Sequence, residues 1–578
     1  MSSAQRASFP RIVRSRRGHA EAVRRFQALA QRFLEETWER FPQEASEAGL
    51  RAFDAELGRN DPATHLAQRR LLAATLPQIE ALPDSAFTGD DWLDRRGLLS
   101  LLRAELFFNA ARERWRTDPQ RHVDAAVSSL LLLTIRHAGR LRPVRAALES
   151  RLEKIPRFLE EGAACLRRPV PLWSKLAIQS CAGAVEFLRD LGVELARLSD
   201  APATTARRVH EASAAFHNYA AAVARKTPGP ADGYAVGRDA FEMLVRERTG
   251  LPYSVPEVRA LSTDWVTRLS AELAHEARKF GRKKAAQLLE EAAARWTPTA
   301  PTLLAEYERL TLQMRERFAA ADIVSFPPNE QCRVMLVPKF LRHLIPTAAY
   351  CEPGAFSANQ TGIFWVNDLG LEAQSSRQRA AELRQHFGIE LTCAHEAYPG
   401  HHLQFVVQNR HPSGLRRLFK HAIFYEGWTL WCEKMALDLG IIDRPEARLL
   451  QLHDALWRAY RIGIDSDLHD RAVTFSGACR RLQEGVGFTA ARARADVSWY
   501  SAAPTVPMSY LLGRLEVERL HARLVGGEKW TLRQFNDWML SHGAIPWSWI
   551  WHARLHGAAR AAPITREPAE QIEGRTSI

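Results

Sequence analysis

Apolar residues recur every three or four positions along most of the chain, a pattern typical of amphipathic helices. In the first such segment, residues 19–50, the side chains of Val23, Phe26, Leu29 and Phe33 share one face of a helix. The same pattern continues over residues 95–114, 123–141, 144–167, 182–198, 204–225, 256–295 and 302–320. The sequence therefore predicts a mainly α-helical protein.

The pattern changes near residues 330–370. Two short runs rich in β-branched and aromatic residues, RVMLVP at 333–338 and GIFWVN at 362–367, are typical of strands. We therefore predict one small β element near 330–370.

The helical pattern resumes after this β element and continues to about residue 560. We expect two lobes that form one integrated structural unit, a helical lobe over residues 21–325 and a second lobe over 326–565. Residues 1–20 are expected to form a disordered basic tail, and residues 566–578 a loose polar one.

Composition narrows the class of protein. Hydrophobic residues make up 46% of the 578 positions, which is enough for a sizeable core and excludes global disorder. No run of about 18 apolar residues lacks charges, so we expect no transmembrane helix and no membrane partner. The seven cysteines are scattered without close pairs, and the first twenty residues hold five arginines but no hydrophobic core of a secretory signal. These features favour a reducing, cytoplasmic location.

The net charge of +13 is compatible with binding to nucleic acid or an acidic surface. The basic residues, however, form no compact block with interleaved aromatic residues. We therefore expect a solvated basic surface and no nucleic-acid partner. The sequence does not indicate whether the chain forms oligomers.

The segment HEAYPGHHLQ at residues 395–404 begins like the HExxH helix of zinc proteases. In that helix two histidines one turn apart bind zinc, and the glutamate activates water. Here Pro399 replaces the second histidine. In a regular helix His401 and His402 would lie about 9 and 10 Å along the axis from His395. Two imidazoles at that separation cannot share one zinc, which needs bonds of about 2.0–2.1 Å.

The helix must therefore bend after His395. Pro399 lacks an N–H and clashes with the carbonyl of His395, while Gly400 permits unusual dihedral angles. If two residues are looped out, His401 takes the position of the second ligand. His402 remains the alternative ligand, and a helix–turn–helix with incidental histidines is the alternative structure.

Glu426 is the candidate third ligand. It lies in FYEGWTLWCE at residues 424–433, where a buried carboxylate without a partner would be costly and metal ligation would satisfy it. Glu433, on the same helical face, is placed to orient a ligand histidine. The alternative is that Glu426 is a salt-bridged helix residue.

A second polar stripe consists of Arg461, Asp465 and His469, which are spaced by four and share one helical face. If His469 lies near the metal, it can stabilise an oxyanion, and Asp465 can select its tautomer. Tyr510 opens a later helix, and its phenol can donate to a substrate carbonyl. A surface ladder of ion pairs and a core tyrosine are the alternatives.

These motifs resemble the family called domain of unknown function 885, which is grouped with the zincin metallopeptidases. The HEAYPGHH segment matches its hallmark. Further matches are residues 362–367, 425–428, 458–461, 465–469 and 543–546, with Tyr500, Pro504, Ser509, Tyr510 and Gly513. The resemblance covers residues 235–560.

The resemblance implies a large, two-lobed, helical zincin-like fold similar to the oligopeptidases. It implies Zn²⁺ held by His395, His401 and Glu426, with Glu396 as general base. The remaining expected site residues are His469 and Tyr510 as catalytic groups, and His402, Glu433, Arg461 and Asp465 around the ligands or the substrate. We thus expect a zinc-dependent metallopeptidase or amidohydrolase that acts on a peptide or small amide.

The chain departs from the family pattern at a few positions. Asp467 stands in place of a glycine, Trp499 in place of an arginine, and residues 505–507 in place of Gly-Gln-Ala. These positions are expected near the substrate. They motivate a second hypothesis, a zinc-binding protein of this fold that has lost catalysis and binds a ligand or partner.

Overall fold

A computed structural model describes residues 20–137, 140–198, 202–337, 342, 345, 347–369 and 375–556. The predicted C-terminal tail at 566–578, and the N-terminal tail apart from Ala20, lie outside these ranges. Within them, none of the helices combines the length and apolar character that crossing a lipid bilayer requires. The described cysteines are all unpaired.

Helices dominate the described structure, as the hydrophobic pattern predicts. Before the sheet they are Glu21–Arg40, Pro42–Glu47, Pro62–Glu80, Gly89–Leu106, Arg114–Thr117, Gln120–Arg136, Arg145–Cys165, Pro171–Ala196, Pro202–Ala224, Arg238–Thr249, Val255–Arg278, Ala285–Arg295 and Leu303–Ala320. After the sheet they are Ser376–Leu383, Ile389–Glu396, His401–Gln408, Gly414–Leu418, Ala422–Asp438, Ala447–His469, Phe475–Val486, Ala490–Ala502, Val506–His521, Leu532–Leu540 and Trp547–His556.

Local chemistry sets several of these boundaries. Ser254 and Glu257 form a capping box that begins the helix Val255–Arg278. The periodic segment 256–295 then divides into two helices, because Gly281 takes a φ of 117° that interrupts the helical backbone.

The predicted β element is a three-stranded sheet. Its strands are β1 (Gln331–Leu336), β2 (Ala348–Cys351) and β3 (Thr361–Val366), in the order β1-β3-β2. β1 pairs parallel to β3, with Val334 opposite Phe364, and β2 pairs antiparallel to β3. Sequence reasoning missed β2, which at four residues is too short to show a period.

The main hydrophobic core extends across the predicted lobe boundary at residue 325. It joins Val23 in the first helix with Phe364 in β3, Trp428 and Ile550. A second core is formed by residues between Leu57 and Val223. The elements that carry the candidate site therefore pack into a core built from distant parts of the chain.

Candidate metal centre

The chain bends sharply between the two histidine-bearing helices. The first ligand helix, Ile389–Glu396, ends beside His395, and the second ligand helix, His401–Gln408, begins at His401. A Cβ on Gly400 would lie 1.8 Å from the carbonyl oxygen of His395, so the backbone passes where only glycine fits. The indole N–H of Trp428 donates to the carbonyl of Pro399 at 2.8 Å and anchors the bend from the core.

This bend brings three predicted ligands together. The candidate ligand atoms of His395, His401 and Glu426 all lie within 4.8 Å of one another, and the three residues are buried. Glu426 Oε2 is 3.6 Å from His395 Nε2 and 3.7 Å from His401 Nε2. Ligand atoms about 2.1 Å from one tetrahedral ion lie about 3.4 Å apart, so the spacing suits a shared ion. In the part of the chain described, no other histidine, cysteine and carboxylate side chains converge in this way.

Two polar atoms of this group are left unsatisfied by the described residues. Among the described residues, neither Glu426 Oε2 nor His401 Nδ1 has a hydrogen-bond partner, although both are buried. Leaving buried polar atoms without partners is costly. A cation between the two imidazoles and the carboxylate would satisfy Glu426 Oε2, and this donor set fits zinc.

Glu433 contacts His395, the first candidate ligand. Its Oε1 is 2.7 Å from His395 Nδ1, which leaves Nε2 turned toward Glu426. Burial opposes a charge on His395, but Glu426 and Glu433 outweigh it and raise the pKa of His395 to about 10. Carboxylate partners of this kind hold a ligand histidine in one orientation and increase its basicity.

His402 has different contacts from His401. Its Nε2 is 2.7 Å from Glu330 Oε2, and its Nδ1 is 3.0 Å from the phenol oxygen of Tyr350. Glu330 also accepts from Tyr398 and pairs with Arg315. Both ring nitrogens of His402 are thus occupied by protein. Sequence reasoning missed Glu330 and Tyr350, because they lie far away in sequence and carry no recognisable motif.

Glu396 is half-buried and follows His395 directly in the first ligand helix. Burial, together with the nearby Glu426 carboxylate, raises the pKa of Glu396 to about 7, against the lowering effect of His395. A carboxyl group that titrates near neutrality can both accept and return a proton, as a general base must.

Two phenols border the three candidate ligands. Tyr510 is half-buried and faces Glu426, whose pKa it helps to lower against the effect of burial. The ring of Tyr425, which precedes Glu426, lies 5.8 Å from the ring of His401. Burial raises the pKa of both phenols, so both stay protonated and able to donate. Sequence reasoning placed Tyr425 in a motif but assigned it no role.

Close helix packing brings Tyr510 to Glu426. A Cβ on Gly513 would lie 2.2 Å from the carbonyl oxygen of Ile423, and one on Gly427 would lie 2.5 Å from the backbone of Gly513. The helices Ala422–Asp438 and Val506–His521 therefore touch backbone to backbone. Only glycine at both positions allows this contact.

Arg461 is buried behind Tyr510. Its guanidinium carbon lies 3.8 Å from the ring centroid of Trp457 and 4.5 Å from that of Tyr510, and its Nε donates to the Tyr500 phenol at 3.0 Å. Arg461 thus contacts the candidate catalytic phenol rather than the ligands themselves.

Asp465 and His469 contact the backbone of residues 500–508, the segment that leads into the helix carrying Tyr510. Asp465 accepts from the backbone N–H groups of Thr505 and Met508, each at 3.3 Å. His469 Nε2 lies 3.1 Å from the carbonyl of Tyr500 and 3.7 Å from Asp465, and burial lowers its pKa to about 4. Among the described residues, no contact joins His469 to the candidate ligands His395, His401 and Glu426. The sequence predicted oxyanion binding for His469 and tautomer selection for Asp465. Their contacts instead hold one backbone segment in place.

The departures from the family pattern have distinct surroundings. Asp467 forms ion pairs with Arg259 and Arg481, so it joins helices rather than facing the metal group. Thr505 adopts a left-handed φ of 72° just before the Tyr510 helix. Trp499 is 37% exposed and lies 5.3 Å from the guanidinium of Arg461.

The chain belongs to the family described as bacterial proteins of unknown function (DUF885), whose model matches residues 42–551. The match extends well beyond the 235–560 region that motifs alone indicated. No curated protein matches the sequence.

Two solved structures share the fold. One is a candidate lipoprotein of unknown function from Shewanella oneidensis, with a TM-score of 0.73 and 19% identity, covering 92% of this chain and 100% of that chain. The other is a candidate lipoprotein from Colwellia psychrerythraea, with a TM-score of 0.72 and 16% identity, covering 92% and 99%. At these identities the similarity concerns the fold.

Proposed function

We propose that this protein is a zinc-dependent hydrolase that cleaves a peptide or other amide bond and has a zincin-like catalytic lobe. The observation that carries the proposal is the convergence of His395, His401 and Glu426 on one point, with a buried carboxylate oxygen left unsatisfied. Glu396 next to this point supplies the base that amide hydrolysis requires.

The chemistry follows from the side chains present. A zinc ion bound by the three ligands would polarise the amide carbonyl and lower the pKa of water from about 15.7 to about 7. Glu396, with a pKa of about 7, is suited to take a proton from the attacking water and deliver it to the leaving amine. The protonated phenol of Tyr510, which faces Glu426, would donate a hydrogen bond to the oxygen on which negative charge develops.

The first experiment is metal analysis of the purified wild type beside three variants. We expect about one zinc per chain in wild type and in Glu396→Gln, and loss of zinc in His395→Ala and Glu426→Ala. Well-folded wild type that takes up no zinc when zinc is supplied would overturn the metal site.

The second experiment tests hydrolysis. Zinc-loaded wild type and Glu396→Gln are incubated with a broad library of peptides and N-acyl amides, and cleavage is followed by mass spectrometry. We expect turnover by wild type and a loss of about 10²- to 10⁴-fold in Glu396→Gln, because the variant keeps the metal but lacks the base. Zinc occupancy with no cleavage of any compound would instead favour a binding protein that has lost catalysis.

A further inference from the structure

The side chain of Glu330 is fully buried, and the residue lies directly before β1 in the chain. Its Oε2 accepts from the Tyr398 phenol and lies 2.7 Å from His402 Nε2, while its Oε1 accepts from Arg315 Nε at 2.7 Å. Burial opposes a charge on this carboxyl group, but the hydrogen bonds from these three partners outweigh it and lower the pKa of Glu330 to about 2. Glu330 is therefore an ionised acceptor in the folded protein.

Two of these partners lie on opposite sides of the bend between the ligand helices. Tyr398 precedes Pro399, and His402 follows it as the second residue of the second ligand helix. One oxygen atom, Glu330 Oε2, thus contacts the chain on both sides of the bend. Between them the carbonyl of Pro399 accepts from the Trp428 indole at 2.8 Å. Glu330 and Trp428 thus both hold the bend from outside it.

The contacts of His402 fix the rotation of the second ligand helix. An ionised carboxylate can only accept, so His402 Nε2 carries the proton, and Nδ1 accepts from the Tyr350 phenol at 3.0 Å. Neighbouring residues of a helix are rotated by about 100° from each other around its axis. A fixed direction of the His402 ring therefore also fixes the direction in which His401 leaves the helix.

The surroundings leave His402 little room to turn. A Cβ on Gly362 in β3 would lie 2.7 Å from His402 Nδ1 and 2.1 Å from the Tyr350 phenol oxygen. The Tyr350 ring also stacks on the His401 ring, with 6.4 Å between the centroids. The centroid of the His401 ring is in turn 5.0 Å from that of His395. These contacts therefore hold the two candidate ligands next to each other.

Stability alone does not explain a buried ion pair at this position. Replacing such a pair with apolar residues of similar size is often neutral or stabilising. A carboxylate has instead a directional effect, because its hydrogen bonds fix the orientation of each donor. Groups that orient metal ligands in this way commonly change metal affinity by about 10- to 100-fold when they are replaced.

Resting on the proposed function, we propose that Glu330 is a positioning residue for the zinc site. By holding Tyr398 and His402, it fixes the bend between the ligand helices. The bend in turn directs His401 Nε2 toward Glu426, 3.7 Å away. Among the described residues, no contact joins Glu330 to the three candidate ligands, so it acts through the bend. We therefore expect Glu330 to set zinc affinity without binding zinc.

The test is the zinc affinity of the full chain, measured by competition with a chelator of known affinity. We expect the Kd of Glu330→Ala to be about 10- to 100-fold higher than that of wild type. Glu330→Gln should recover part of the affinity, because its amide oxygen still accepts from His402. With zinc in excess, all three proteins should bind about one zinc per chain. Circular dichroism checks that each is folded at the temperature of the titration.

Glu306→Ala is the matched control. The side chain of Glu306 is 3% exposed, pairs with Arg309 at 2.7 Å, and accepts from the Thr299 hydroxyl and the Ala300 backbone, each at 2.9 Å. Its loss should lower the urea midpoint, as the loss of Glu330 should, but leave the zinc affinity at the wild-type value. The visible spectrum of the cobalt-loaded proteins depends on the directions of the ligands. It should change in Glu330→Ala and stay unchanged in Glu306→Ala.

Tyr398→Phe covers the case in which Glu330→Ala does not fold. It keeps the ring and removes one hydrogen bond to Glu330, so the Kd for zinc should rise by a smaller factor. Wild-type affinity together with a wild-type cobalt spectrum in folded Glu330→Ala, or in Tyr398→Phe if only that variant folds, would overturn the positioning role. An equal loss of zinc affinity in Glu306→Ala would overturn it as well.

The zinc titration also separates this inference from the proposed hydrolysis. Weaker zinc binding by Glu330→Ala would support the positioning role even if wild type cleaves no amide, a result that would refute only the hydrolase. Hydrolysis by wild type, together with equal zinc affinities of wild type and Glu330→Ala, would refute the positioning role alone. A wild type that binds no zinc would overturn the zinc site and this inference with it.

Discussion

Two adjacent histidines show how strongly the contacts of a side chain depend on its position in the chain. His401 and His402 are both buried, yet His401 Nε2 faces Glu426 while His402 is bonded on both ring nitrogens to Glu330 and Tyr350. Residue type and local motif are the same for both. Only the direction of each side chain, set by the bend at Gly400, separates the candidate ligand His401 from His402.

We predict that His401→Ala loses zinc and that His402→Ala keeps about one zinc per chain. His402→Ala should still be less stable, by about 1–3 kcal/mol, because Glu330 would lose a buried partner. Elemental analysis and urea unfolding of the two variants check this. Loss of zinc from folded His402→Ala, with retention in His401→Ala, would reverse the ligand assignment.

The contact between two helices decides where Tyr510 lies. Gly427 and Gly513 allow the helices Ala422–Asp438 and Val506–His521 to meet without side chains between them. The neighbouring Glu426 and, one turn away, Tyr510 thereby face each other. Helix propensity would favour alanine at both positions, so the glycines are explained by packing.

For Gly513→Ala we expect a loss of about 1–3 kcal/mol in the free energy of unfolding, because the new Cβ would overlap the Ile423 carbonyl. Amide hydrolysis should fall as well, since the helix that carries Tyr510 must shift. Gly526→Ala is the control, because a Cβ there meets nothing within 4 Å. Denaturant unfolding and kcat/KM provide the two measurements. Equal stability of the two variants would show that the close contact is not needed.

A histidine network joins helices of the N-terminal half. His65 Nε2 lies 2.9 Å from Asn60 Oδ1, the Asn60 amide reaches His122 at 2.9 Å, and the His65 ring stacks on Trp115. Burial lowers the pKa of His65 to about 3 and that of His122 to about 4. Both rings are neutral in the folded protein at pH 5, whereas they are charged in the unfolded chain.

This network predicts a pH effect with a definite sign. Since the folded pKa of His65 lies below the unfolded value of about 6.5, the unfolded chain binds the extra proton, and stability falls as pH drops below 6.5. The contribution of His65 is at most about 2 kcal/mol between pH 6.5 and 5. His65→Gln keeps a hydrogen-bonding side chain but does not titrate. The stability difference between wild type and His65→Gln should therefore shrink toward pH 5, and a constant difference in urea unfolding would contradict the assignment.

At the scale of the whole molecule, the helices that carry the candidate ligands belong to one continuous core. The second ligand helix and the Glu426 helix pack into the cluster that also contains Val23 and Ile550. A bound ion would therefore stabilise the folded chain as a unit. Binding only to the folded state at a concentration of 100 times Kd adds about 2.7 kcal/mol.

We predict that zinc raises the Tm of the metal-free protein and that a chelator reverses the rise. His395→Ala should show no zinc-dependent change, because it lacks a ligand, and it serves as the control for non-specific zinc binding. Differential scanning calorimetry with and without zinc makes the comparison. An equal rise in wild type and His395→Ala would place the bound zinc elsewhere.

The sequence alone determined the features that depend on neighbouring residues. The helices follow from the spacing of apolar residues, and the bend between the two histidine-bearing helices follows from Pro399 and Gly400. Glu396 lies next to His395 because the two are adjacent in the chain. Glu426 was also predicted as a candidate ligand, because a carboxylate in an apolar segment needs a partner. These inferences require no knowledge of which elements pack together.

Tertiary structure alone decided which distant side chains meet. It turned His401 rather than His402 toward Glu426, brought Glu330 to His402, and directed His469 to the carbonyl of Tyr500. It also brought the guanidinium of Arg248 to the carbonyl of Pro504, although the two lie far apart in sequence. The physical reason is that periodicity shows which residues share a face of a helix, whereas the packing of the whole core decides which element covers that face.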